Sequence, residues 1–255
     1  MKAISLNAIY VMWLREVKKF FRNKSRIIGS LGMPFFFLAF LGAGFSSVFS
    51  LPGMEGVNYL QFLAPGVIGM VMLFASMFAG ISVLWDRQFG FLKEIMVTPV
   101  SRLSIMLGRV AGGVTTALVQ GLLILVIGIG MGIAVPGPLG FLSALMMMLL
   151  ISVSFISIGL IFASLMEDMQ GFQLIMNFLI MPVFLLSGAL FPLTSAPDWL
   201  HALSLANPLT YGVDGLRLSL IGFSQFPLWL DASVLAVFGL VMITIGAYLF
   251  GKTQV

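Results

Sequence analysis

The segment Gly246-Ala-Tyr-Leu-Phe-Gly251-Lys252-Thr253 fits the phosphate-binding pattern G-x4-G-K-[ST] letter for letter. That chemistry needs a strand before the loop and a helix after it, so that backbone amides and a helix N-terminus cradle the phosphates. Here the match closes an apolar run, and only Gln254 and Val255 follow it. Lys252 is better explained as the anchor of a membrane span, so we expect no nucleotide site in this chain. Other chemistry is as scarce. His201 is the single histidine and there is no cysteine, which removes histidine-cluster and thiolate metal sites along with disulfides. From Val110 to Met166 the chain contains no Asp, Glu, Lys, Arg or His. An ion-coupled carrier draws on buried carboxylates or histidines at mid-membrane, so this stretch argues against one. We expect no catalytic, cofactor or metal site.

Polar groups inside the apolar runs are few: Gln120, Asn177 and the serines Ser152, Ser154, Ser157 and Ser164. Such groups usually act as glue between helices. Met146, Met147 and Met148, among 18 methionines, add soft surface. The pairs Gly108/Gly112 and Gly128/Gly132 would let helices approach closely.

The elements that must position these residues are membrane helices. The chain has 255 residues, of which 60% are hydrophobic and 9% charged. A water-soluble globule carries roughly 25% charged residues, so that class is excluded. Six runs, about 27–49, 60–84, 105–134, 139–166, 172–191 and 228–250, are long and apolar enough to cross a bilayer. Of the 13 basic residues, only Arg217 falls on the second side of such a six-span layout. Basic residues are retained in the cytoplasm, which puts both termini and the second-to-third loop inside. The basic residues flank spans and form no groove, so anionic lipid, not nucleic acid, is the expected partner.

Residues 6–22 have the pattern of an amphipathic helix in the cytoplasmic interface. Ile9, Phe20, Trp13, Leu6, Val17, Tyr10, Phe21 and Leu14 share one arc, opposite Lys18, Arg22, Arg15 and Lys19. No cleavable signal peptide is expected there. The first external loop contains Pro52, Gly53 and Glu55, and the second begins at Val135. Between the second and third runs, Asp86, Arg87, Lys93, Glu94 and Arg102 alternate with Phe89, Phe91, Leu92, Ile95 and Met96, and Pro99 stops the helix. A mixed-charge helix with an apolar ridge suits docking onto a soluble partner. The connection holding Glu167 and Asp168 is acidic, either paired with the basic N-terminal helix or simply hydrated. The external segment 192–227 is apolar, with Trp199, Leu209 and Leu216, and is broken by Asp198, Asn207-Pro208 and Gly222. Helices too short to span suggest re-entrant elements packed against protein. Asp214 and Arg217 stand three apart and could pair on one helical face.

Two of these segments together resemble the ABC type-2 export permeases, closest to the daunorubicin-resistance-like branch. One is Asp86-Arg87-Gln88-Phe89-Gly90-Phe91-Leu92-Lys93-Glu94-Ile95-Met96-Val97-Thr98-Pro99-Val100-Ser101-Arg102. It is similar to the family's charged, Gly-containing cytoplasmic helix and Thr-Pro-Val-Ser-Arg turn. The other runs from Phe191-Pro192 through Pro197-Asp198-Trp199-Leu200 to Asn207-Pro208-Leu209-Thr210-Tyr211-Gly212-Val213-Asp214-Gly215-Leu216-Arg217. Arg87-Gln88 stands where many relatives place a further acidic residue.

The resemblance implies an all-α membrane protein of six spans: a connecting helix over 1–26 and a transmembrane domain over 27–251. It implies a coupling helix within Asp86, Arg87, Gly90, Phe91, Glu94, Ile95, Thr98, Pro99 and Arg102. It also implies a re-entrant motif at Asn207, Pro208, Tyr211, Asp214 and Arg217. Two copies of a separate ABC ATPase would carry ATP and Mg, and a second copy of the chain or a paralogous permease would complete the pore. The implied setting is a prokaryotic inner membrane. The expected activity is export of a hydrophobic or amphipathic compound, drug-like or lipid, without enzymatic chemistry in this chain. Export of a lipid-linked glycan is the nearest alternative, and an ion-coupled secondary transporter is the alternative from another class.

Overall fold

The computed structural model describes residues 4–46, 56–91, 94–95, 98, 100–134, 137–193 and 197–252. Lys2, the Pro52-Gly53 loop with Glu55, Leu92, Lys93, Met96, Pro99, Val135 and Thr253 lie outside the described residues.

An amphipathic helix, α1 (Leu6–Arg22), starts at Ser5, whose hydroxyl accepts from the Ala8 amide, and ends with Lys19 and Arg22 in its last turn. Both charges oppose the negative end of the helix dipole. α2 (Lys24–Phe36) follows, and Pro34 inside it removes a backbone donor just before a wider π-helical stretch, Phe37–Ala43. The chain bends by 68° between 6–22 and 27–43.

Asn58 opens α3 (Tyr59–Ala79) with a reciprocal capping box to Gln61. α3 is buried on almost every side and forms the centre of the bundle. It passes through Gly80 into α4 (Ile81–Gln88). Gly80 is required by contact: a Cβ there would strike the Gly159 backbone, and one on Gly159 would strike that of Met77. The remaining long helices are α5 (Arg102–Gly130) and α6 (Pro138–Leu165). α7 (Met169–Leu185) is capped by Asp168, whose carboxylate accepts from the Gln170 and Gly171 amides. Two shorter helices follow, α8 (Asp198–Leu205) and α9 (Pro208–Ile221), and then α10 (Leu228–Lys252).

Four helical stretches have the length and composition of a span: Tyr59–Gln88, Arg102–Gly130, Pro138–Leu165 and Leu228–Leu249. The bent pair of 6–22 and 27–43 makes a fifth if taken as one. The expected six spans are therefore not reproduced by length. The run at 172–191 yields only the 17 residues of α7, about 26 Å against a hydrocarbon core of about 30 Å. Its helix ends early because the chain turns at Leu186 and adopts φ +70° at Gly188.

The segment between α7 and α10 is not a surface loop. α9 packs into α3, α6 and α10, with Leu209, Val213 and Leu216 fully buried. Gly69 of α3 faces Val213, while Gly212 and Gly215 face Ile151 and Met147 of α6, each too close for an unadjusted Cβ. A short helix at membrane depth is tolerated when protein encloses it. α10 lies beside α6, tied by Ser154 Oγ donating to the Leu235 carbonyl at 3.0 Å. Its far end reaches the start of α5, where a Cβ on Gly246 would sit 3.0 Å from Met106 Cε. The two chain ends thus lie at the same end of the bundle.

Candidate functional site

The elements that carry charge meet at the α1 end. α1 sits on α5 through Gly108 and Gly112: a Cβ on the first would strike Ile9 and Met12, and on the second Glu16. Close approach through small residues four apart is a membrane-helix device. Trp13 Nε1 donates to Thr115 Oγ1 at 2.9 Å and the Ser5 amide to Ser104 Oγ at 2.9 Å, closing the same seam. The edge that packs holds Met12, outside the apolar arc of the sequence, and Phe20; Leu6, Tyr10 and Phe21 stay exposed. Gly128 and Gly132 serve no helix crossing. Gly128 faces Ile133 of its own turn, and Gly132 has φ +105°, so this pair reverses the chain.

Seating α1 there brings Arg15 onto Asp86. Arg15 Nη1 donates to Asp86 Oδ2 at 2.7 Å and Nη2 to Oδ1 at 2.5 Å, a two-pronged pair. From the other side Arg109 Nη2 donates to Asp86 Oδ2 at 2.6 Å, and its Nη1 reaches Ser82 Oγ at 3.5 Å. Asp86 is 4% exposed and Arg109 2%. Two guanidinium groups on one carboxylate hold α1, α4 and α5 together. The Arg15 guanidinium also lies over the Phe91 ring, 4.4 Å from its centroid.

The expected docking residues divide by environment. Asp86 is locked inside. Arg87 donates to the Met166 carbonyl at 3.2 Å and to Glu167 Oε1 at 3.3 Å, so Glu167 pairs with this segment and not with α1. Asp168 is engaged in capping α7. Gly90, with φ +73°, ends α4 and turns the chain. Beyond it Phe91 is 40% exposed and Glu94 is exposed, whereas Ile95 packs against the core. Thr98 Oγ1 donates to the Ile95 carbonyl at 2.6 Å. Arg102 is exposed in the first turn of α5, which Ser101 caps.

At the opposite end, Asn207 caps α9 and its Nδ2 donates to the Val183 carbonyl at 2.6 Å, with Pro208 at the first helical position. The Tyr211 hydroxyl donates to the Leu205 carbonyl at 2.9 Å, which folds α8 onto α9. Asp214 and Arg217 do not form the expected pair. The Asp214 carboxylate accepts from the Gln225 and Phe226 amides at 2.9–3.0 Å. Arg217 donates to the Gly188 carbonyl at 2.9 Å and stacks over Phe62 at 4.0 Å. Their i, i+3 spacing is overruled because each side chain has a buried backbone group to satisfy. Asp231, buried in the first turn of α10, has no hydrogen-bond partner among the described residues. The phosphate-loop pattern is helical from Gly246 to Lys252, so no cradle of amides forms there.

A cavity of about 300 Å³ occupies the inside of the α1–α2 bend. Glu16, Lys19, Ser82, Arg109, Thr116 and Gln120 line its polar part. Phe20, Met33, Met70, Phe74 and Phe78 line the rest. Glu16 Oε1 and Arg109 Nε are both buried without a partner. Sequence reasoning passed over Arg15, Glu16, Arg109 and Asp231 as site residues. The available signal was a pair of opposite charges, Asp86 and Arg109, at facing ends of consecutive apolar runs.

The ABC-2 type transporter family model matches residues 7–221. The chain belongs to the ABC-2 type transporter family. It is a transport permease, the membrane subunit of an ABC transporter. The permease is 27% identical to the inner membrane transport permease YadH of Escherichia coli strain K12 over 236 residues, 91% of this chain and 90% of YadH. It is 28% identical to nodulation protein J of Rhizobium leguminosarum bv. viciae over 217 residues, 83% of this chain and 81% of that protein. Membership implies association with an ABC ATPase subunit, the partner that hydrolyses ATP.

Proposed function

We propose that the permease exports a hydrophobic or amphipathic compound, drug-like or lipid, and that the segment from Asp86 to Arg102 is where its ATPase pushes. The observation that carries this is the three-way lock on Asp86. The first charge of the segment is fixed to α1 by Arg15 and to α5 by Arg109. A force applied at exposed Phe91 or Glu94 therefore reaches two helices that border the bilayer, not a slack loop. In this reading the α1 end faces the cytoplasm of a prokaryotic cell and both termini lie there.

Two copies of the chain and two ATPase subunits make the working unit. Support for a second copy comes from α7, whose outer face exposes Leu174, Phe178 and Met181 together with the Asn177 amide. A bare amide facing hydrocarbon is costly, and a facing helix would satisfy it. Asn207, Pro208, Tyr211, Asp214 and Arg217 act as the frame of the buried re-entrant helix and not as substrate ligands.

The test is reconstitution of the permease with its cognate ATPase in vesicles, following efflux of a lipophilic dye or labelled lipid. ATP-dependent export that is lost in Asp86→Ala but kept in Arg87→Ala supports the proposal. Equal export by the two variants contradicts it.

A further inference from the structure

We infer that the cavity in the α1–α2 bend is a binding site for the head group of a phosphatidylethanolamine lipid: Arg109 and Glu16 receive its phosphate and its primary ammonium. The inference does not rest on export, since it concerns a lipid held by the permease whether or not that lipid is moved.

Two independent observations point to a ligand. The cavity has about 300 Å³, the lower end of the range for small-molecule sites. Inside it lie one donor and one acceptor without partners, Arg109 Nε and Glu16 Oε1. Leaving either buried and unmade is unfavourable, so the site asks for a group that accepts on one side and donates on the other. The two come together by construction. Arg109 projects from α5, while Glu16 of α1 packs over Gly112, less than one turn further along the same helix.

The charges select the head group. The Arg109 guanidinium is already engaged by Asp86 through Nη2, so it offers a single further hydrogen bond and no free net charge. Lys19 supplies a cation at the exposed rim. Glu16 repels a purely anionic head and attracts an ammonium. A phosphate between Arg109 and Lys19 with an ammonium on Glu16 satisfies all three. A quaternary choline carries the same charges but has no N–H to give to Oε1.

The walls select a lipid. Apolar residues such as Phe20, Phe74 and Phe78 would gain nothing from water. Met33 lines the cavity and is also 51% exposed, so the space reaches the outer face of α2. Acyl chains would leave there. The volume suits a head group and glycerol, with the chains outside along α2, where Phe36 and Phe40 are exposed.

The experiment loads the purified permease from vesicles of equal parts dioleoylphosphatidylethanolamine and dioleoylphosphatidylcholine, extracts it in mild detergent and weighs retained lipid by native mass spectrometry. Wild type should retain the ethanolamine lipid over the choline lipid by about tenfold, the effect of one charge-assisted hydrogen bond. Glu16→Gln should bring the ratio near one. Ala75→Phe, which fills the cavity from its wall, should remove the retained lipid while thermal stability is kept, so that a folding defect in Glu16→Gln would not hide the answer. Soluble phosphoethanolamine alone should leave no bound mass. Equal retention of the two lipids by wild type, a preference that survives both substitutions, or tight binding of soluble phosphoethanolamine would each overturn the assignment.

Discussion

Arg15 grips both oxygens of Asp86 from a position 71 residues away, at 2.5 and 2.7 Å. α1 is thereby part of the transport domain and not only an interfacial anchor. Removing one member of a buried ionic set leaves the others uncompensated, which costs about 3–5 kcal/mol. Asp86→Ala, which strands Arg109 inside the bundle, should fall in that range. Arg15→Ala should cost less, since Arg15 is more exposed to solvent than its partner. Thermal unfolding of the purified variants in detergent compares the two, and a larger loss for Arg15→Ala would reverse the assignment of the buried member.

The α1–α5 seam should be intolerant of added volume. A Cβ at Gly108 meets backbone and Cβ atoms of α1 that have no rotamer to yield with. Gly108→Val should release α1, exposing Trp13 to solvent and reddening its emission. Gly130→Ala, where nothing lies within 4 Å, serves as the tolerated control. Unchanged emission in Gly108→Val would mean that α1 is held by the Asp86 lock alone.

Much of this architecture was legible. Residues 6–22 form the helix that their apolar arc describes, and the breaks at Asn207-Pro208 and Gly222 bound α9. Local signals of this kind, caps and periodicity, act within a few residues. The length of the fifth run was not legible, because the turn at Gly188 is set by Arg217 reaching its carbonyl from 29 residues on. Nor was the burial of α9, since hydropathy does not distinguish a protein-facing from a lipid-facing apolar residue. The Asp86 lock joins three segments distant in sequence, and only its charges hinted at it.

At the far end, Asp214 holds the turn after α9 through two backbone amides. Asp214→Asn keeps one accepting oxygen and should be mild. Asp214→Ala leaves both amides unmade, at about 1–3 kcal/mol each if they stay buried. Hydrogen exchange at Gln225 and Phe226 reads this directly. Protection that survives Asp214→Ala would show that the turn is held by packing.

Lys252→Ala should change neither nucleotide binding nor hydrolysis by the assembled transporter, because Gly246 to Lys252 is helix. A fluorescent ATP analogue bound by the isolated permease, and lost on that substitution, would contradict this.

The central claim is that the ATPase seats on the exposed part of the segment following Asp86, and the most direct measurement is the affinity between permease and ATPase for three single variants. Truncating an apolar anchor at an interface centre costs on the order of 2 kcal/mol, roughly thirtyfold in association. Phe91→Ala should show that loss. Ile95→Ala should lower thermal stability instead, because Ile95 packs against the core. Arg87→Ala should do little of either, its partner Glu167 being a solvent-exposed carboxylate. Wild-type affinity in Phe91→Ala, with a loss in Arg87→Ala, would place the docking surface at the Glu167 connection and contradict the account.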